Sequence, residues 1–143
     1  PYWAALSDSS DTTLAELAVK AVKETEYHLR HSKSWVTRLG DGTDESHRRA
    51  QDALGALWRF TGELFESDAV EAELVASGVA PDPGQLRNRW AETVDATLAE
   101  ATLQAPDDGH MASGGRRGIH CEALSYLVGE LQVVARAHPG ASW

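Results

Sequence analysis

The sequence predicts an all-α chain, and three observations carry that expectation. Glycine and proline fall between long segments. Those segments repeat apolar residues at steps of three and four. Alternating β-branched runs are scarce. The chain has 143 residues, within the usual range of about 100–200 for one domain, and a chain of that size buries roughly two-thirds of its unfolded surface.

The first long helix is expected over 11–39. Ser10, Asp11 and Thr13 offer N-cap oxygens, and Thr13 with Glu16 fits a capping box. Its inner face reads Leu14, Ala18, Val22, Thr25, Leu29, Ser32, Val36 and Leu39, and Gly40 and Gly42 stop it. Twenty-nine residues would span about 43 Å, a length suited to a helical bundle. A second helix is expected over 44–65, capped by Thr43 or Asp44, with His47, Ala50, Leu54, Leu57, Trp58, Thr61 and Leu64 on one face. A short helix over 68–77 ends at Gly78. Pro81-Asp82-Pro83 turns the chain, and Pro83 suits the first position of a third long helix over 83–103, which Pro106 ends. Residues 104–118 read as a polar, glycine-rich loop. The last helix, over 119–137, is the most apolar, with Leu124, Leu127, Val128, Leu131, Val134 and Ala135.

Net charge is −9, which argues against a nucleic-acid role, since that needs a basic stripe. The charge is uneven. Residues 67–109 hold nine acids and two arginines, a local −7, whereas residues 110–143 carry a local +1. No apolar run reaches the roughly 18 residues of a membrane span, and the lone Cys121 excludes an internal disulfide or a cysteine-rich zinc site. The composition reads as a soluble cytoplasmic domain.

Several helical positions are candidates for chemistry. Glu24 and His28 stand one turn apart, with His31 and Trp35 further along the same side. Inward Glu and His on long helices suggest a di-iron centre, which takes a Glu from each of two helices and a Glu-x-x-His pair from each of two others. No Glu in this chain has His three residues on. Glu24 and His28 are spaced by four and read better as a structural hydrogen-bonded pair than as metal ligands. Asp44-x-x-His47 lies at a helix start, where Asp is the expected cap. His120-Cys121-Glu122 could present an activated thiolate, but adjacent helical residues diverge, so a buried, inert Cys121 is the better reading. Ser113-Gly114-Gly115-Arg116-Arg117-Gly118 precedes a helix and can hold an anion through amides and guanidinium forks. It reads equally as a solvated loop. Trp35, Trp58 and Trp90 are expected as core anchors. Trp3 and Trp143 suggest packing against a partner or another part of the same protein.

Several segments together resemble a known family. They are Lys23-Glu24-x-x-Tyr27-His28-Leu29-Arg30, Trp35-x-x-Arg38-Leu39-Gly40-Asp41-Gly42-Thr43-x-x-Ser46 and Leu57-Trp58-Arg59-Phe60-Thr61-Gly62-Glu63-Leu64-Phe65. With them go Glu100-Ala101-Thr102-Leu103, Gly114-Gly115-Arg116-x-Gly118-x-His120-x-Glu122, Glu130-x-Gln132 and Pro139-Gly140-x-x-Trp143. In this order they resemble the PaaC subunits of bacterial phenylacetyl-CoA epoxidases. The resemblance implies a ferritin-like helical bundle of about four long helices plus a short one, in a multicomponent monooxygenase of phenylacetate degradation. It implies a non-catalytic structural subunit that binds no cofactor. A PaaA-like partner would hold the di-iron site and the phenylacetyl-CoA, and a separate flavin and iron–sulfur reductase would supply electrons. The family tends to read His-Thr-Glu-His where this chain has His120-Cys121-Glu122-Ala123, which weakens any metal reading of the remnant candidates Glu24, His28 and Glu122. Residues 1–143 are then expected to be the C-terminal part of a single domain whose N-terminal helices precede Tyr2. Such a part leaves an apolar face uncovered, which a homodimer could cover. Arg116, Arg117 and His120 become candidates for contact with CoA phosphates or with a neighbouring subunit. Two other readings stay open: that the chain is itself a di-iron oxygenase component, or that it is a helical ligand-binding or dimerisation domain. None of these readings calls for nucleic acid or a membrane.

Overall fold

A computed structural model describes residues 1–107 and 109–142. Among them all regular structure is helical: α1 (Tyr2–Leu6), α2 (Thr12–Gly40), α3 (Asp44–Trp58), α4 (Ala69–Ala76), α5 (Arg87–Glu100) and α6 (Glu122–Ala137), with 3₁₀ turns at Gly62–Phe65, Pro83–Leu86 and Gly115–Arg117. The chain divides into two compact units, Pro1–Ala112 and Ser113–Trp143.

In the first unit, α2 starts where the sequence places it, and Asp11 is the one of the three cap candidates that acts. The Asp11 carboxylate accepts from the Leu14 amide at 3.0 Å, so the cap is Asp11 and not the Thr13–Glu16 box. Thr43 caps α3 by accepting from the Ser46 amide at 3.2 Å. Asp44 and Glu45 then occupy its first turn, where the helix dipole favours acids. Asp68 and Glu71 form a reciprocal capping box on α4, and Gly78 at φ +74 supplies the left-handed residue beyond its end.

Two helices end earlier than the periodicity indicates. Helix α3 stops at Trp58, not at 65. The Thr61 hydroxyl donates to the Trp58 carbonyl at 2.8 Å, the Phe60 and Thr61 amides bond three residues back, and the Ala112 amide takes the Arg59 carbonyl at 2.8 Å. Helix α5 starts after a 3₁₀ turn and stops at Glu100, not at 103. Thr102 has φ +55, and the Leu103 amide reaches the Leu98 carbonyl at 2.9 Å while that of Thr102 reaches Ala99 at 3.2 Å. This is a Schellman closure with threonine at the position that glycine usually fills.

The closure abuts the end of α2. Gly40 is buried, and a Cβ there would run into the Ala101 carbonyl oxygen. The Gly40 carbonyl accepts from His47 Nδ1 at 2.7 Å and from the Thr102 hydroxyl at 3.3 Å. The Gln51 side chain pairs with the Gln104 backbone in both directions, at 2.9 Å each. Leu98, Ala101 and Leu103 form the buried core, with Val36, Ala50, Leu54, Trp58 and Val94 packed on it. Thus α2, α3 and α5 meet at one end, while α1 buries Leu6 and Ser9 ties the N-terminal segment to the Val79 carbonyl at 2.6 Å.

The second unit is one helix and its lead-in turn. Gly114 (φ +105) and Gly118 (φ +81) bracket the 3₁₀ turn that carries Arg116 and Arg117. A Cβ on Gly114 would meet the Ile119 side chain. Helix α6 begins at Glu122 rather than 119 and has no buried residue. No helix among the described residues is long and apolar enough to cross a membrane.

Candidate functional site

Two surfaces of α2 stand out. On one side Leu29, Val36 and Leu39 join Leu54, Leu57 and Trp58 of α3 and Trp90, Val94 and Leu98 of α5 around an apolar groove of about 460 Å³. Two of its lining residues, Trp58 and Trp90, lie 5.8 Å apart, and Phe65, outside the lining, meets Trp90 edge-on at 5.3 Å. Trp58 and Trp90 are half-buried, as expected of anchors. Leu57, at 63% exposure, leaves the groove open to solvent.

The other side of α2 carries a ladder of rings. Tyr27 stacks on His31 at 6.3 Å, and His31 meets Trp35 at 6.4 Å. Arg30 lies over the Tyr27 ring at 5.6 Å and Arg38 over Trp35 at 5.8 Å. Trp35 is 49% exposed, so it is not the core anchor that its spacing suggests. Leu29, Val36 and Leu39 face the groove, and helical geometry turns residue 35 away from them.

Glu24 and His28 share this exposed side. Both side chains are exposed, and among the described residues no hydrogen bond joins them, which corrects the expectation of a structural pair. Four-residue spacing permits contact but does not compel it in water. His28 instead meets Tyr27 edge-on at 5.8 Å. In the second unit the Glu122 carboxylate accepts from the Tyr126 hydroxyl at 3.1 Å. Among the described residues no group of three or more His, Cys, Asp or Glu side chains is placed to hold a metal ion. Asp44-x-x-His47 is structural, with His47 donating to Gly40.

Cys121 is exposed, not buried as expected: it stands outside α6 as its N-cap and not on a helical face. His120, Arg116 and Arg117 are exposed on the same lead-in. The tight turn between two left-handed glycines presents both guanidinium groups within three residues. Tyr2 and Trp3 pack edge-on at 6.4 Å, with Trp3 partly exposed. Trp143 lies outside the described residues. Sequence reasoning missed α1 and the outward ladder. Alternation of rings at steps of four along residues 27–35 was the signal for the ladder.

These helices define an all-α protein of the ferritin-like helical-bundle class. A family model described as phenylacetic acid catabolic protein matches residues 1–143, and the chain belongs to that family. It is 44% identical over 138 residues to the C subunit of the 1,2-phenylacetyl-CoA epoxidase of Escherichia coli (strain K12), a match covering 96% of this chain and 56% of that protein. The chain spans about half the length of the curated relative it matches.

Proposed function

We propose that this chain is the C-terminal part of a non-catalytic, structural subunit of a multicomponent phenylacetyl-CoA epoxidase in phenylacetate catabolism. The observation that carries the reading is the 44% identity over 138 residues to the C subunit of such an epoxidase. In this reading a PaaA-like partner holds the di-iron centre and the acyl-CoA. The chain itself binds no cofactor and works in the cytoplasm. The sequence supports the division of labour, because it carries no Glu-x-x-His pair with which a helical bundle builds a di-iron site. The greater length of the relative supports further helices in the same domain, packed along the apolar side of α2. Within the complex, Arg116, Arg117 and His120 contact CoA phosphates or the neighbouring subunit, since a guanidinium fork suits phosphate geometry.

Co-expression of the full-length protein with the catalytic subunit tests this. The expected result is a stable complex that epoxidises phenylacetyl-CoA with its reductase, together with no iron retained by the isolated protein after anaerobic ferrous loading. Roughly two irons per isolated chain, the stoichiometry of a di-iron bundle, would overturn the structural reading. Failure to co-purify would overturn the epoxidase reading.

A further inference from the structure

We infer that the ring-and-arginine ladder of α2, Tyr27, Arg30, His31, Trp35 and Arg38, is a docking face for an acidic helix of another subunit. The inference rests on the multi-subunit reading above and adds to it a surface and a partner chemistry. The rings and guanidinium groups of the ladder already contact one another within the chain. Tyr27 stacks on His31 at 6.3 Å, His31 meets Trp35 edge-on at 6.4 Å, and a guanidinium group lies against each outer ring. Tyr27 nevertheless remains 57% exposed. Tyrosine, tryptophan and arginine dominate binding energy at protein interfaces, where rigid rings give large contact area at small entropic cost.

The two sides of α2 differ in the way that separates a core from an interface. The groove side is lined mainly by leucine, valine, alanine and tryptophan, with a few threonines, Ser32 and Lys33, the composition of a face that packs within one chain. The ladder side mixes aromatic rings with arginine and histidine, the composition of a face between chains. Charge then selects the partner. The ladder side carries Arg30, Arg38, His28 and His31 with Glu24 as its acid, while Lys33 lines the groove and Glu26 and Glu100 border the hollow beside Arg30 and Arg38, so this side is basic in a chain of net charge −9. Among the described residues neither Arg30 nor Arg38 forms an ion pair; the ion pairs there belong to Arg48. Eight residues separate the two arginines, about 12 Å along the helix. A partner helix with carboxylates two turns apart, flanking an apolar stripe, meets both. A second copy of the same face does not, because two-fold packing would set arginine against arginine.

The test uses the full-length protein co-expressed with the catalytic subunit of the proposed complex. A photo-crosslinking amino acid is placed at position 27 or 35, and the products are mapped by mass spectrometry. Crosslinks to an Asp- or Glu-bearing helix of another subunit are expected. Crosslinks confined to the protein's own chain would show an internal packing face, and crosslinks to a second copy would show a homodimer; either overturns the inference. In parallel, Arg30→Glu with Arg38→Glu should weaken association about tenfold or more at low salt, with the thermal melt of the isolated protein unchanged. An unchanged association overturns the inference as well, and the crosslinking arm decides if the charge reversals prevent folding. If the unsubstituted protein co-purifies with no other subunit, the multi-subunit reading falls too. If it co-purifies and the ladder crosslinks elsewhere, only this inference falls.

Discussion

At Gly40 the backbones at the ends of α2 and α5 come close together, and the His47 side chain of α3 reaches the Gly40 carbonyl. The Gly40 carbonyl takes two side-chain donors, and the space where a Cβ would stand is filled by Ala101. Gly40→Ala forces these segments apart. It should cost about 1–3 kcal/mol, the usual range for overpacking, read as a lower urea midpoint at unchanged slope. His47 Nδ1 must carry the proton, since a carbonyl can only accept. Glu24 gives the opposite expectation. It is exposed and unbonded to His28 in the described chain, so Glu24→Gln should change the stability of the 143-residue chain by less than about 0.5 kcal/mol. A loss above about 1 kcal/mol would mean that the pair is joined and shielded in solution.

At the scale of elements, caps rather than propensity place the helix boundaries. Helix α4 has only eight residues, too few to be stable by itself in water, and its capping box secures amides that would otherwise be unpaired. The lead-in to α6 is governed by glycine. Gly114 and Gly118 both adopt left-handed backbone, which lets a three-residue turn display Arg116 and Arg117 together. If this turn meets CoA phosphates in the assembled epoxidase, replacing both arginines by alanine should weaken acyl-CoA binding by about tenfold per charge-assisted hydrogen bond lost. The difference should shrink at high salt. Normal binding with failed assembly would assign the turn to an interface between subunits, and no change in either would assign it to solvent.

Taken whole, the chain leaves much apolar surface in water. Leu57 borders the groove, and Leu131 of α6 is 73% exposed. Exposed apolar area of this kind marks surfaces that something else covers. The 143-residue chain on its own should therefore enhance the fluorescence of an apolar dye and shift the emission of Trp58 and Trp90 as the dye enters the groove. Leu57→Asp should abolish the shift while leaving the circular-dichroism melt unchanged, because Leu57 contributes to the lining without being buried in the core. A dye response that survives Leu57→Asp would place the binding on another surface.

The all-helical class, the order of the long helices and the family were legible in the amino-acid order. Apolar spacing and caps act within a few residues, so Asp11, Thr43, Asp68 and Gly78 mark boundaries without help from distant parts of the chain. Family membership rests likewise on local runs, such as those from Lys23 to Arg30 and from Trp35 to Ser46. The ends of α3 and α5 were not legible. Thr61 and Thr102 are weak stop signals alone, and what halts the helices there is partnership with Trp58, Ala112 and Gly40, much of which the chain assembles only on folding. The fate of similar side chains was likewise a tertiary matter. Trp35 and Trp58 both sit at helical apolar spacings, yet Trp58 meets Trp90 across the groove while Trp35 faces solvent. Periodicity says which residues share a side of a helix; only the packing of α3 and α5 against one side of α2 determines which side is the inner one.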